Sequence, residues 1–192
     1  MQLREFPERD DAKAVWLSAD EITQLLDTTK TDTRRWALGI MARCGLRVDE
    51  AAQIEPIDLI ESDAGRMCRI RNGKGGKTRE TPVPAELFYS GRALGNRDDR
   101  DTVAGVKKRT IQSWVRKTAD ELYEQTEKVA WSFVSAHDLR RSWGTLLVQN
   151  DVEPLLVMEW GGWENYETFK DHYMSIHDPE FQKDEQKKVS WL

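Results

Sequence analysis

The spacing of apolar residues changes period several times along the chain, and each change marks an element. Ser18-Ala-Asp-Glu21 has the form of a capping box, with Ile22, Leu25 and Leu26 following at helical spacing. A second helix is expected from near Asp32, carrying Trp36, Ile40 and Met41 on one face until Gly45 interrupts it. Val48 to Ile54 reads as a short third helix ended by Pro56, whose ring cannot continue it. The period then drops to two. Met67-Cys-Arg-Ile70 alternates like a strand, Asn72-Gly-Lys-Gly-Gly-Lys77 reads as a turn, and Thr78 to Val83 returns as the partner strand. Arg92 to Gly105, rich in Gly, Asp and Arg, reads as a loop. Helical spacing resumes at Thr110 to Gln125, with Ile111, Trp114, Val115 and Leu122 on one stripe. It continues at Leu139 to Gln149, Pro154 to Trp160, Tyr166 to Met174 and Pro179 toward Lys188. The expected class is mainly α with a small antiparallel β hairpin.

The 192 residues suffice for one domain with a short appended arm. Residues 1–14 are expected to be that arm, because no second apolar core precedes Ala14. No apolar run approaches the ~20 residues of a membrane span. The charged start MQLREFPERDDAKAV does not resemble a secretory signal. Cys44 and Cys68 have neither metal-ligand spacing nor the density of a disulfide scaffold, and read as small core residues. A cytoplasmic protein with no metal and no cofactor is expected.

A net charge of −5 argues at first against a nucleic-acid partner. Its distribution changes the picture. Arg66, Arg69, Arg71, Lys74, Lys77 and Arg79 fall within one stretch opposed only by Glu80. Lys107, Lys108, Arg109, Arg116 and Lys117 form a second basic run free of acids. Acids gather elsewhere, at 5–11, 98–101 and 178–185. Two basic patches in an acidic background are compatible with one DNA-facing surface, and each alone is also compatible with a solvated face. The acidic background and the excess of Arg over Lys suggest adaptation to a salty cytoplasm, as in a haloarchaeon or its virus.

Three local patterns carry chemistry. His137 and Arg140 stand three residues apart at the start of a helix, so imidazole and guanidinium can share a side. Around a phosphate such a pair is sensible: arginine forks onto two oxygens and histidine exchanges a proton near neutrality. On its own the pair also fits an ordinary surface. Lys74 is flanked by glycines that permit a tight turn and close approach to a backbone ligand, without the residue order of a P-loop. Arg47 sits among apolar residues in Cys44-Gly-Leu-Arg47-Val-Asp-Glu50, where it needs an anion; Glu50 is the internal alternative to a bound one.

In this order the patterns resemble the catalytic domain of the tyrosine recombinases, or phage integrases. The matching segments are Ala42 to Ala51 for an arginine box, Gly73 to Pro84 for a lysine hairpin, and Ser135 to Thr145 for an HxxR box. Trp160-Gly-Gly-Trp163 and Tyr173 follow, where the family has a Gly-His or Gly-Trp pair and then its nucleophile. The resemblance spans about Val15 to Met174. Trp163 takes the place of the commoner histidine, and Tyr173 stands ten residues after it, one further than the family spacing.

The resemblance implies the DNA breaking-rejoining fold and a metal-independent site-specific recombinase working through a 3′-phosphotyrosine. Its catalytic set would be Arg47, Lys74, His137, Arg140, Trp163 and Tyr173, supported by Glu50. Arg47 and Arg140 would clamp the non-bridging oxygens, His137 would take the tyrosine proton, and Trp163 would donate a hydrogen bond. Lys74 would protonate the leaving 5′ oxygen. Arg69, Arg71, Lys77, Arg79, Lys107, Lys108, Arg109 and Arg141 would touch the DNA backbone. Residues 15–176 would form the catalytic domain and 177–192 a tail helix, either exchanged with a neighbouring subunit or buried on its own domain. The expected partner is double-stranded DNA, bound as a homotetramer by a chain monomeric in solution. The alternatives are a non-catalytic DNA-binding regulator on this fold and a type IB topoisomerase.

Overall fold

The computed structural model describes residues 1–5, 13–71, 78–97, 101–170 and 179–191. Strands β1 (Gln2–Glu5) and β2 (Lys13–Trp16) pair antiparallel, with Gln2 opposite Trp16. The segment expected to be an N-terminal arm thus contributes strand β1. Helix α1 (Ala19–Asp27) opens with the expected capping box: Ser18 Oγ accepts from Glu21 N at 3.3 Å and Glu21 Oε2 accepts from Ser18 N at 2.9 Å.

Helix α2 (Asp32–Cys44) is the axis of the core. Trp36 through Ala42 are buried without a break, as is Cys44, so the middle turns of the helix are enclosed on every side rather than on the one face its spacing suggested. It ends where Gly45 turns left-handed at φ +71°, and a Cβ there would lie 2.2 Å from the Trp143 ring. Helix α3 (Val48–Ala51) is shorter than expected, and a 3₁₀ turn at Pro56–Asp58 follows.

Three strands form the second sheet: β3 (Leu59–Ser62), β4 (Gly65–Ile70) and β5 (Arg79–Pro82), in that order and antiparallel throughout. The β4–β5 pair is the expected hairpin, with Ile70 opposite Arg79. Strand β3 was hidden because Leu59-Ile-Glu-Ser62 is too short to show alternation. A larger correction concerns residues 92–105. Helix α4 (Ala85–Arg97) extends through the first part of that supposed loop, held because Leu87, Phe88 and Leu94 are buried and Trp36 Nε1 donates to Leu87 O at 2.9 Å.

Helices α5 (Lys108–Thr126), α6 (Ala136–Gln149), α7 (Pro154–Gly161), α8 (Tyr166–Phe169) and α9 (Pro179–Lys187) complete the chain, with a 3₁₀ turn at Val129–Phe133 between α5 and α6. Helix α6 is tied to β2 and the residue after it by Val15 N donating to Asp138 Oδ1 at 3.1 Å and Leu17 N to Ser142 Oγ at 2.8 Å. A second apolar cluster, Trp143, Val157, Met158 and Phe169, packs α7 and α8 onto α6. Both cysteines are buried and unbridged, as expected of small core residues. No helix among the described residues is long and apolar enough to cross a membrane.

Candidate active site

Helix α7 ends in Trp160-Gly161-Gly162, and its last carbonyls point away from the helix with no intrahelical donor to meet them. They carry the negative end of the helix dipole. Three arginines from three other elements fill that position. Arg79, on β5, donates Nε to Trp160 O at 2.9 Å. Arg140, on α6, donates Nη2 to Gly161 O at 2.7 Å. Arg47, at the start of α3, donates Nη2 to Gly162 O at 3.3 Å. Consecutive carbonyls thus collect guanidinium groups from segments far apart in the chain. Gly162 permits this with its left-handed backbone (φ +67°), and a Cβ there would stand 2.9 Å from Arg79 Cδ.

Glu50 lies beneath two of these cations. Its Oε1 accepts from Arg47 Nη1 and Arg79 Nη1, each at 2.8 Å. Its Oε2 accepts from Arg79 Nη2 and from Arg47 N, each at 2.7 Å. Burial alone would raise the Glu50 carboxyl, but the hydrogen bonds and charge of Arg79, then those of Arg47, outweigh it and hold the group at about 2. The internal partner foreseen for Arg47 is present, and it is shared.

Arg140 is almost fully enclosed, at 1% exposure. Its Nη1 donates to Gly45 O, and its guanidinium carbon lies 4.1 Å from the Trp163 ring centroid. Trp163 in turn stacks on Trp143 with centroids 5.8 Å apart and meets Phe169 at 5.1 Å. His137, one turn before Arg140, is exposed to solvent overall but has part of its ring desolvated. That desolvation, then the charges of Arg141 and Arg140, pulls its pKa down to about 4; Asp138 opposes the shift and Arg47 adds to it. The imidazole is therefore neutral near pH 7, able to accept a proton.

The structure brings Arg47, Glu50, His137, Arg140 and Trp163 together. Lys74, Lys77 and Tyr173 lie outside the described residues. The residues expected on DNA divide into two groups. Arg79 is corrected: its side chain is 9% exposed and committed to Glu50 and Trp160, so it is an internal group rather than a groove contact. Arg141 is likewise mostly covered, paired with Asp138 and lying over the Trp16 ring at 5.1 Å. Arg69 pairs with Glu80 at 3.1 Å; Arg71 pairs with Asp58 at 2.6 Å and Glu55 at 3.1 Å. Both arginines stay largely solvent-facing. Lys107, Lys108 and Arg109 are exposed at the start of α5, where Lys108 reaches Asp49 at 3.0 Å. Trp143 had been missed as a supporting residue; the signal available was its place three residues beyond Arg140, on the same helix face.

The model of the phage integrase family matches residues 15–180. The tyrosine recombinase XerA of Pyrococcus horikoshii is 27% identical over 157 residues, covering 79% of this chain and 54% of that protein. Among solved structures, that of a XerA recombinase superposes with a TM-score of 0.73 at 20% identity, over 92% of this chain and 65% of that one. The XerH site-specific recombinase bound to a palindromic difH substrate, a post-cleavage complex, gives 0.67 at 22% identity, over 92% and 52%. At these identities the structural likeness shows the fold, that of the recombinase catalytic domain. The chain spans about half the length of the curated relatives it matches.

Proposed function

The chain belongs to the phage integrase family, and we propose that it is a site-specific recombinase that cleaves and rejoins double-stranded DNA through a 3′-phosphotyrosine on Tyr173. The observation that carries this reading is the gathering of Arg47 and Arg140 on the adjacent carbonyls of Gly162 and Gly161, with His137 close enough to feel both charges. Cations held this close by carbonyl dipoles present a site for one small, highly charged anion, and a phosphodiester passing through a pentavalent transition state is such an anion.

In the proposed reaction Tyr173 attacks the phosphorus as neutral His137 accepts its proton. The guanidinium groups of Arg47 and Arg140 take the charge that develops on the non-bridging oxygens. Trp163 donates a further hydrogen bond, and Lys74 protonates the departing 5′ oxygen. The P–O bond to the 5′ oxygen is exchanged for one to the tyrosine oxygen, which keeps the ester bond energy, so rejoining is the reverse of cleavage and needs no nucleotide or metal. Arg47, with 29% of its side chain exposed, is ready to meet a phosphate. Arg140 lies under the Trp163 ring, its Nη1 on Gly45 O and its Nη2 on Gly161 O.

The same reading makes residues 15–176 the catalytic domain and 177–192 a tail exchanged between subunits of a tetramer assembled on DNA from monomers, in the cytoplasm. Incubation with a nicked duplex that traps cleavage tests it. An SDS-resistant adduct is expected with the native chain and none with Tyr173→Phe, which should still bind DNA. An adduct in that variant overturns the choice of nucleophile. DNA binding by the native chain with no adduct would instead favour a non-catalytic regulator.

A further inference from the structure

Arg79 was expected at the DNA surface, and its burial leaves a cation whose purpose the proposed reaction does not use. The charges around it are unequal. Among the described residues, Glu50 is the one carboxylate within ion-pair distance of either Arg47 or Arg79. Two guanidinium groups and one carboxylate leave a net positive charge. Exposure decides where that charge is felt, because Arg79 and Glu50 are 9% and 6% exposed and Arg47 is 29% exposed.

The geometry divides the carboxylate in the same sense. Arg79 forks onto both Glu50 oxygens, whereas Arg47 gives its side chain to one of them through a single nitrogen and turns its other terminal nitrogen to Gly162 O. A bidentate fork is the stronger and more directional arrangement. Without Arg79, Glu50 would be left, among the described residues, with Arg47 alone, and an incoming phosphate would have to compete with a buried carboxylate for it. Arg79 also fastens the turn itself, through Nε on Trp160 O and through close passage over Gly162.

We infer that Arg79 is a positioning residue for strand cleavage: by holding Glu50 it leaves the charge of Arg47 uncompensated toward the scissile phosphate, and it fixes the 160–163 turn on which Arg47 and Arg140 converge. This inference rests on the recombinase reading above. It differs from a simple structural role because it depends on the charge of the substrate. A methylphosphonate at the scissile position replaces one charged oxygen by a methyl group, so its cleavage depends less on a cationic Arg47. In both substrates the Tyr173 oxygen bonds to phosphorus, the bond to the 5′ oxygen breaks, and that oxygen takes a proton.

The test measures adduct formation by the full chain on matched trapping duplexes, one with a phosphodiester and one with a methylphosphonate at the cleaved position. Arg79→Gln is expected to slow the phosphodiester about 100-fold and the methylphosphonate less than about tenfold. Equal losses on the two substrates overturn the inference. Removing the carboxylate as well, in Glu50→Gln with Arg79→Gln, is expected to recover phosphodiester cleavage at least about tenfold over the single variant; no recovery also overturns it. Should Arg79→Gln not fold, Arg79→Lys keeps the charge without the fork, and its ratio of phosphodiester to methylphosphonate rates is expected to fall by less than about tenfold from native. A ratio reduced more than about tenfold refutes the charge argument. If the native chain forms no adduct on the phosphodiester, the recombinase reading fails, and that outcome is distinct from all of these.

Discussion

The guanidinium carbon of Arg140 sits 4.1 Å from the centroid of the Trp163 ring, and the same indole stacks on Trp143 at an interplanar angle of 21°. One aromatic side chain therefore covers a buried cation and also closes the small apolar cluster that pins α7 and α8 to α6. Packing and the proposed chemistry meet in one residue, and substitutions can separate them. Trp163→Phe keeps an aromatic face over Arg140 and removes the indole N–H. It is expected to cost less than about 1.5 kcal/mol of stability while slowing adduct formation about 10- to 100-fold. Trp163→Ala removes the face as well and is expected to cost about 2–4 kcal/mol. Urea unfolding and the trapping assay read the two effects. A Phe variant as active as native would remove the N–H from the mechanism.

Much of this arrangement was legible in the sequence, and the parts that were not have a common physical cause. Ser18 and Glu21 announce α1 because a capping box is a local contract between neighbours, and Gly45 announces the end of α2 for a similar reason. Ala85–Arg97 escaped because its glycines at 91 and 95 and the charged residues after them look like loop, while the burial that makes it a helix comes from distant Trp36 and Pro56. The same distinction governs the site. Arg47, His137 and Arg140 stand in short motifs, whereas Arg79 looked like one more basic residue in a basic stretch. Its partners Glu50 and Trp160 lie 29 and 81 residues away, and no local pattern encodes that.

Gly45 offers a sharper test of how the core supports the site. Its carbonyl accepts from Arg140, its φ is +71°, and an added Cβ would lie 2.2 Å from a Trp143 ring carbon. Gly45→Ala combines left-handed strain with overpacking against a rigid ring, and is expected to destabilise the protein by about 2–5 kcal/mol. Wild-type stability in urea would mean that Trp143 and the α2 terminus yield far more easily than their burial implies.

Acid should dissolve the charge arrangement in two stages. The folded pKa of His137, about 4, lies below the unfolded value, so the unfolded chain binds more protons between about 6.5 and 4, and stability falls as pH drops through that window. The folded pKa of Glu50, about 2, also lies below its unfolded value. Its contribution is complete above about 4.5 and is lost as pH falls toward 2, with a size on the order of 3 kcal/mol at 1.36 kcal/mol per unit. His137→Gln should flatten the upper stage and Glu50→Gln the lower, in unfolding free energies measured from pH 7 to pH 3. An unchanged upper stage in His137→Gln would show that the imidazole is not the group titrating there.

DNA affinity should separate surface cations from buried ones. Lys107 and Arg109 are exposed at the start of α5, whereas Arg79 is enclosed and paired. A cation that displaces counterions from a phosphate contributes about one to the slope of log affinity against log salt. Arg109→Ala and Lys107→Ala are therefore each expected to weaken binding across unrelated sequences and to lower that slope by about one. Arg79→Gln is expected to leave the slope within about 0.3 of native, because no counterion is released from a guanidinium already held by Glu50. Arg116 should fall between these limits, since it is exposed but already paired with Asp120 at 3.0 Å. Fluorescence anisotropy with one labelled duplex, titrated between 50 and 200 mM salt, gives all four slopes (about a fourfold range, wide enough to resolve a change of one). A slope that falls by one for Arg79→Gln would place that side chain on DNA after all.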